Sequence, residues 1–95
     1  MELKYNELLQ NLRERKFTFT ITGIDGTKYE NLSIDIPSYH DTAILFHNCK
    51  RPDGSTLRGV FSITPSNLIK AELKDNAAGI IVETTQGIYD IKFSL

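Results

Sequence analysis

The first sixteen residues carry apolar side chains at helical spacing. Tyr5, Leu8, Leu9 and Leu12 stand at positions i, i+3, i+4 and i+7, which places them on one face of an α-helix. Polar and charged residues fill the positions between them. The pattern predicts a short amphipathic helix within residues 1–16, whose apolar face packs on the rest of the fold.

The spacing of apolar residues changes at Phe17, where phenylalanine and isoleucine begin to alternate with threonine as far as Thr22. A period of two predicts a strand with one buried face. Asp25-Gly26 follows, and this dipeptide is typical of a type I′ hairpin turn, in which both residues have positive φ. A return strand is therefore expected over residues 27–36.

The return strand changes phase in its middle. Tyr29 has one parity and Leu32 has the other, so we expect a bulge or bend near Asn31. Pro37-Ser38 is expected to turn the chain after this strand. Further strands are predicted over residues 42–47, 57–63 and 69–73, with a turn-rich loop over 48–56, a tight corner over 64–67, and a final hairpin of strands 80–84 and 88–93 closed around Gln86-Gly87.

A helix followed by short antiparallel strands and tight turns predicts a mainly β fold. We expect one domain over residues 1–95. It is composed of a helix over 1–16, a five-stranded, strongly bent antiparallel barrel over 17–74, and an extra C-terminal hairpin over 79–95. Because five strands close a barrel poorly, strand edges stay open, and open edges pair with a neighbouring chain. Self-assembly into a ring is therefore expected.

Composition limits the class of protein. The chain has 95 residues, with 11 Lys and Arg, 12 Asp and Glu, and a formal net charge of -1. This length suits one small domain. A near-neutral chain lacks the strong positive field of a typical duplex-DNA binder, so any contact with nucleic acid must come from a local basic patch.

The cysteine and the apolar runs bear on location. Cys49 is the single cysteine, so no intramolecular disulfide can form, which favours a reducing compartment and a cytoplasmic location. No run of about 18 apolar residues is present, so no membrane span is expected. The N-terminal segment lacks the apolar core of a signal peptide.

The usual catalytic and nucleotide-binding motifs, such as GxGxxG, the P-loop, GxSxG and HExxH, do not occur in the sequence. His40 and His47 lie on either side of a predicted strand and do not converge on one metal ion. Cys49 has no histidine base at a fixed spacing. We therefore expect a protein that is not an enzyme, with no catalytic residues, no metal site and no cofactor.

An ordered set of features runs through the stretch LLQNLRERKFTFTITGIDGTKYENLSIDIPSYHDTAILFHN. A helix ends at Leu12 and is followed by a basic cluster, an alternating strand, an Asp-Gly turn, a strand that bends and, at Ile44 to Asn48, the segment ILFHN. In this order the features resemble those of the Sm-like family, and of its Hfq branch in particular, over residues 5–74. The resemblance implies an SH3-like or Sm-like barrel.

The resemblance also implies partners. Sm-like proteins form homo-oligomeric rings in which strand four of one subunit pairs with strand five of the next, and they bind RNA at the pore, on the opposite face or at a basic rim. Arg13, Arg15 and Lys16 match the basic rim. This resemblance and the local residue types together suggest six candidate residues for binding single-stranded RNA: Arg13, Arg15, Lys16, Tyr39, His40 and Arg58.

Other positions depart from the family. Asp41-Thr42 occupies the pore position, Thr22 stands where the family has a base-stacking tyrosine, and the hairpin from Gly79 is extra. These departures are typical of a divergent branch, similar to small Sm-like proteins carried by phages, for which the location would be the host cytoplasm. The alternative is an oligomeric structural or protein-interaction module, for example a phage component, that does not bind RNA. In that case the basic cluster is a solvated helix end.

Overall fold

The computed structural model describes residues 1–34 and 36–94. It confirms a mainly β fold with one N-terminal α-helix. The elements are β1 (Glu2–Leu3), α1 (Tyr5–Glu14), β2 (Phe17–Gly23), β3 (Lys28–Ser33), β4 (Ile36–Tyr39), β5 (Ile44–His47), β6 (Val60–Ile63), β7 (Leu68–Leu73), β8 (Gly79–Thr84) and β9 (Gly87–Phe93), with a short 3₁₀ turn at Asp75–Ala77.

Helix α1 buries the predicted apolar face and is shorter than residues 1–16. Leu8, Leu9 and Leu12 are buried, and the Glu7 carboxylate accepts the Lys4 backbone N–H at 2.9 Å, which caps the first turn. The residues before the helix form β1 instead of a helical turn, because β1 pairs with the edge of β7. That pairing satisfies backbone groups that a frayed first turn would leave to water.

The strands form two antiparallel sheets in the described chain, instead of one closed five-stranded barrel. The larger sheet has the order β1-β7-β8-β9-β2-β3, and the smaller has the order β4-β5-β6. The hairpin β8–β9, predicted as an extra element outside the barrel, lies at the centre of the larger sheet. Its alternating residues Ile80, Val82, Tyr89 and Ile91 are buried, and this apolar face is why the hairpin is part of the core.

Strand β7 is paired on both of its sides for part of its length. On one side it pairs with β8 over Leu68 to Leu73. On the other side β1 covers Ala71 and Glu72. Only residues 68–70 therefore keep an edge without a described strand partner.

The predicted bulge near Asn31 is confirmed. The register between β2 and β3 shifts between Phe19 and Ile21, whose partners are Leu32 and Tyr29. Asn31 has a φ of 52°, and its backbone N–H donates to the Thr20 hydroxyl at 3.1 Å. The predicted return strand is thus divided into β3 and β4, and Asp35, which stands between them, lies outside the described residues.

The turn predicted at Pro37-Ser38 is wrong. Pro37-Ser38 belongs to β4, where Pro37 pairs with Phe46. A sheet tolerates proline there because β4 is an edge strand, and the chain turns later, where the His40 N–H donates to the Ala43 carbonyl at 2.9 Å.

The hairpin predicted at Asp25-Gly26 is confirmed, but its turn differs from type I′. Only Gly26 of the pair has positive φ, at 87°. The hairpin closes between Gly23 and Thr27, with the Gly23 N–H donating to the Thr27 carbonyl at 2.8 Å. The loop is therefore longer than the predicted two residues.

The core lies between the two sheets and under the helix. Phe19 and Phe46, one from each sheet, have ring centroids 5.1 Å apart, and Phe19 also packs against Tyr89 at 5.7 Å. Strand β6 begins at Val60 and not at residue 57 as predicted, because the segment before it forms a loop with isolated bridges. Within the described residues, no helix has the length and apolar character needed to cross a bilayer.

Candidate nucleic-acid interface

A groove of about 590 Å³ lies where the C-terminal end of α1, the start of β2 and strand β4 meet. We name it the basic groove, because Arg13, Arg15 and Lys16 line it together with Tyr39. The other described residues of its lining are Leu12, Glu14, Phe17, Thr18, Ser33, Ile34, Pro37 and Ser94.

The chain between α1 and β2 places the three cations together. The helix ends at Glu14, and Arg15 has extended backbone dihedrals, with φ -133° and ψ 147°. Strand β2 then begins at Phe17. The Ser94 N–H donates to the Lys16 carbonyl at 2.9 Å, so the residue after β9 is bonded to the segment between α1 and β2.

Tyr39 closes the other side of the groove. Its hydroxyl donates to the Leu12 carbonyl at 3.1 Å, and its backbone carbonyl lies 3.5 Å from Nη2 of Arg13. Burial raises the pKa of the Tyr39 hydroxyl, although the nearby Arg13 charge lowers it in part. The hydroxyl therefore stays protonated at neutral pH and keeps its role as a donor.

Arg15 is held against the end of the larger sheet. Its guanidinium carbon lies 3.8 Å from the centroid of the Phe93 ring, and Nη1 donates to the Ala77 carbonyl at 2.8 Å. A guanidinium carries five N–H donors, so this fixed geometry still leaves donors for a ligand.

The charges of the groove are not neutralised by described neighbours. Elsewhere, Lys28 pairs with Glu30 and Lys70 with Glu72, each at 3.4 Å, and Lys74 pairs with Asp90. By contrast, within residues 1–34 and 36–94 none of the three groove cations forms an ion pair. Glu14 is the only carboxylate in the described lining, and one of its oxygens accepts the Gln10 amide at 2.5 Å.

Two of the six predicted RNA-binding residues lie outside this lining. His40 is exposed next to Tyr39, and its carbonyl accepts the Tyr5 hydroxyl at 2.9 Å. Arg58 is exposed in the loop that precedes β6. The structure thus brings Arg13, Arg15, Lys16 and Tyr39 together and does not bring His40 or Arg58 into the groove.

Sequence reasoning missed three hydroxyl-bearing residues of the lining. Thr18 and Ser33 face each other in the register of β2 and β3, and the alternation of β2 already indicated an outward position for Thr18. Ser94 follows β9, which pairs with β2 through Phe17 and Phe93. No sequence pattern indicated that Ser94 lies beside Arg13, Arg15 and Lys16, because the predicted final hairpin lies outside the barrel.

The placement of the described histidine, cysteine and carboxylate side chains bears on whether a metal site or an activated nucleophile is present. In the part of the chain that the structure describes, no three His, Cys, Asp or Glu side chains are grouped as metal ligands. Cys49 is buried, and this burial raises the pKa of its thiol to about 11. The thiol therefore stays protonated at neutral pH, which makes it a poor nucleophile.

Comparison of the chain with protein-family models, with curated proteins and with solved structures finds no match. The resemblance of residues 5–74 to the Sm-like family therefore stays a prediction. Function has to be inferred from the geometry and charge of the basic groove.

Proposed function

We propose that this chain is a non-enzymatic, Sm-like protein that binds single-stranded RNA through the basic groove. One observation carries the proposal: Arg13, Arg15 and Lys16 surround a single groove and have no carboxylate partner among the described residues. This arrangement favours contact with a phosphate backbone, because an internal ion pair would compete with the ligand.

The groove also offers surface for bases. Tyr39 is half-buried, and Pro37 and Phe17 add apolar surface beside it. Single-stranded nucleic acid binds where cations follow its backbone and aromatic side chains contact its bases. In this mechanism Arg13 and Lys16 contact phosphates, Arg15 offers its remaining donors, and Tyr39 contacts one base.

A fluorescence anisotropy titration with short oligo(A) and oligo(U) RNAs at low salt tests this function. The variant Arg13→Gln/Lys16→Gln removes two groove charges, and we expect its affinity to fall about tenfold or more, which equals ~1.4 kcal/mol of binding free energy. The matched control Lys28→Gln/Lys70→Gln removes the same charge from residues that are paired with Glu30 and Glu72.

The two outcomes separate a site from a general charge effect. If the control binds like the wild type and the groove variant does not, the groove is the binding site. If both variants lose affinity equally, the groove has no special role. If the wild type does not bind either RNA at low salt, the proposed function is wrong.

A second candidate is the oligomeric interaction module, as a ring or another assembly, that does not need RNA. The observation that favours it is the outer edge of β6, which pairs with no described strand and carries Val60 with 55% of its surface exposed. Residues 68–70 of β7 offer a second, short edge. A ring would pair β6 of one copy with this edge of the next, as the Sm-like resemblance implies.

Light scattering after size exclusion tests this assembly. We expect a mass that is a multiple of the monomer mass for the wild type, and a smaller mass for Val60→Glu, because a charge on an edge strand opposes edge pairing. Ile88→Glu, which places the same charge on an exposed position of the sheet face, is the control. A monomeric wild type would exclude the assembly, and this result would not bear on the separate proposal that the groove binds RNA.

A further inference from the structure

A second cleft lies at the other end of the β2–β3 hairpin from the basic groove. It has a volume of about 250 Å³ and opens between the hairpin turn and β6. Gly23 lines it, whereas Phe17 lines the basic groove. These two residues are six positions apart on β2, which corresponds to about 20 Å, so the two sites are separate.

Three aromatic side chains, Tyr29, Phe61 and Tyr89, line this cleft. The Tyr29 and Phe61 ring centroids are 6.0 Å apart, and Phe61 meets Tyr89 at 6.5 Å with perpendicular rings. Tyr29 and Phe61 are only half-buried, whereas Tyr89 is 2% exposed. Burial raises the pKa of the Tyr89 hydroxyl, so this side chain stays uncharged at neutral pH.

The rim of the cleft carries a negative charge. Asp25 is the only charged side chain in the described lining. One of its oxygens accepts the Thr27 backbone N–H at 3.0 Å, and this bond is the main cause that lowers the pKa of the carboxyl. The carboxylate is exposed, and no described lysine or arginine pairs with it.

The combination of π faces and a carboxylate with no ion-pair partner among the described residues selects a cation. Aromatic faces attract a positive charge, and the carboxylate supplies acceptors for its N–H groups. The same carboxylate repels phosphate, which makes this cleft unsuitable for the RNA proposed above. A volume below the roughly 300 Å³ of the smallest drug-sized pockets suits one side chain and not a large ligand.

We propose that this aromatic cleft binds the guanidinium group of an arginine side chain presented by a protein partner. The planar guanidinium stacks on Phe61 or Tyr29 while its N–H groups meet Asp25, a geometry that suits arginine better than lysine. Val60, with 55% of its surface exposed at the edge of the cleft, packs against the aliphatic part of that side chain. This inference does not depend on RNA binding.

The test uses the full chain labelled with ¹⁵N and the probe N-acetyl-arginine methylamide. Titration is expected to shift the amide resonances of Gly23, Asp25, Tyr29 and Phe61 in a saturable way, and to leave those of Arg13 and Lys16 unchanged. The citrulline analogue has the same shape without the charge, so it should cause no such shifts. Equal shifts with citrulline, or none with arginine, would overturn the proposal.

Two variants with a matched control locate the interaction. Asp25→Asn keeps a side chain that can accept the Thr27 N–H, so the turn is retained, and its affinity for the arginine probe should fall about tenfold. Asp53→Asn makes the same change in an equivalent turn, where Asp53 accepts the Ser55 N–H at 2.8 Å, and should bind the probe like the wild type. Phe61→Leu should also weaken binding, and the dispersion of each spectrum shows that the variant is folded.

Two further results would contradict the assignment. If Asp25→Asn binds arginine like the wild type, the carboxylate is not part of the site. If the lysine analogue binds as tightly as the arginine probe, the cleft recognises a point charge and not a guanidinium.

Discussion

The hydroxyl of Tyr39 donates a hydrogen bond of 3.1 Å to the carbonyl oxygen of Leu12. This bond joins strand β4 of the smaller sheet to the last turn of α1, whose carbonyl groups have no partner within the helix. The bond of 2.9 Å from the Tyr5 hydroxyl to the His40 carbonyl also links the helix to the end of β4, so the two sides of the basic groove do not depend on the Tyr39 bond alone. Tyr39 therefore has two roles: its hydroxyl stabilises the contact between β4 and α1, and its ring is part of the proposed RNA site.

Tyr39→Phe separates these two roles. The variant keeps the ring and loses the hydrogen bond, so we expect the free energy of unfolding to fall by about 0.5–1.5 kcal/mol, with little change in RNA affinity. Tyr39→Leu also removes the ring, and its RNA affinity should fall by the loss of one base contact, about 1–3 kcal/mol. Urea denaturation and anisotropy titration measure the two quantities.

Tyr5→Phe is the control for Tyr39→Phe. In the wild type the Tyr5 hydroxyl donates to the His40 carbonyl at 2.9 Å, and Tyr5 does not line the groove. Both Phe variants remove one hydroxyl-to-carbonyl bond, and neither should change RNA binding. A loss of RNA affinity in Tyr39→Phe as large as that in Tyr39→Leu would contradict the contact between the ring and a base.

Arg15 is expected to stabilise the fold through its guanidinium shape and not only through its charge. Arg15→Lys keeps the charge and loses the stacking on Phe93 and the bond to Ala77, so the free energy of unfolding should fall by about 0.5–1 kcal/mol. Arg13→Lys should leave stability unchanged, because among the described residues the Arg13 guanidinium makes only a long contact of 3.5 Å with the Tyr39 carbonyl. Equal stabilities in urea denaturation would contradict this difference.

Substitution of Gly79 should lower the stability of the fold, because Gly79 lies at the start of β8 in the central β8–β9 hairpin. A Cβ atom at Gly79 would overlap the Ile91 carbonyl oxygen of the neighbouring strand, so Gly79→Ala has to separate β8 from β9. We expect a loss of roughly 3 kcal/mol or more in the free energy of unfolding. The control Gly54→Ala meets no atom within 4 Å but has a φ of 89°, and it should lose only about 1–2 kcal/mol.

A result in which both glycine variants lose the same stability would contradict the placement of β8 and β9 at the centre of the larger sheet. Circular dichroism during urea denaturation is sufficient for this comparison, since both variants can be measured against the wild type under one set of conditions.

Stability is expected to fall in alkaline solution. Burial raises the pKa of the Cys49 thiol from 9.0 to about 11, and burial raises the pKa of Tyr89 above 10.0. Well below pH 9 the Cys49 thiol is protonated in both the folded and the unfolded chain, so the thiol's contribution to the free energy of unfolding is fully present. As pH rises from 9 towards 11, the unfolded chain loses the thiol proton first, and up to about 3 kcal/mol of stability is lost from this group.

Cys49→Ala isolates the thiol in that pH range. The variant should be less stable than the wild type at neutral pH because it leaves a small cavity, but its stability should fall less steeply as pH rises from 9 to about 11. An identical slope in the wild type and the variant would show that the thiol does not contribute.

Local patterns in the sequence predicted the parts of the fold that depend on local physics. The helical stripe of Leu8, Leu9 and Leu12 is buried as predicted, and the phase change near Asn31 corresponds to a real bulge. Both features depend on the spacing of side chains within one segment. Such spacing is visible in a single sequence.

Pairing between distant segments was not visible in the same way. The alternation in residues 80–84 and 88–93 predicted a hairpin but did not show that Phe93 pairs with Phe17. Strand alternation does not specify which edge a hairpin joins, so the two-sheet arrangement and the position of Ser94 in the groove were not predicted. The cluster of Arg13, Arg15 and Lys16 was predictable because the three residues are neighbours in sequence, whereas the relation of Arg58 to them depends on the loop before β6.

The salt dependence of RNA binding measures the number of phosphate contacts. If Arg13, Arg15 and Lys16 each neutralise one phosphate, the logarithm of the binding constant should fall with the logarithm of the salt concentration with a slope of about -2, and Arg13→Gln should reduce it to about -1.4. Circular dichroism should show the same fold in both proteins. A slope near zero, or the same slope with and without Arg13, would contradict binding of RNA in the basic groove.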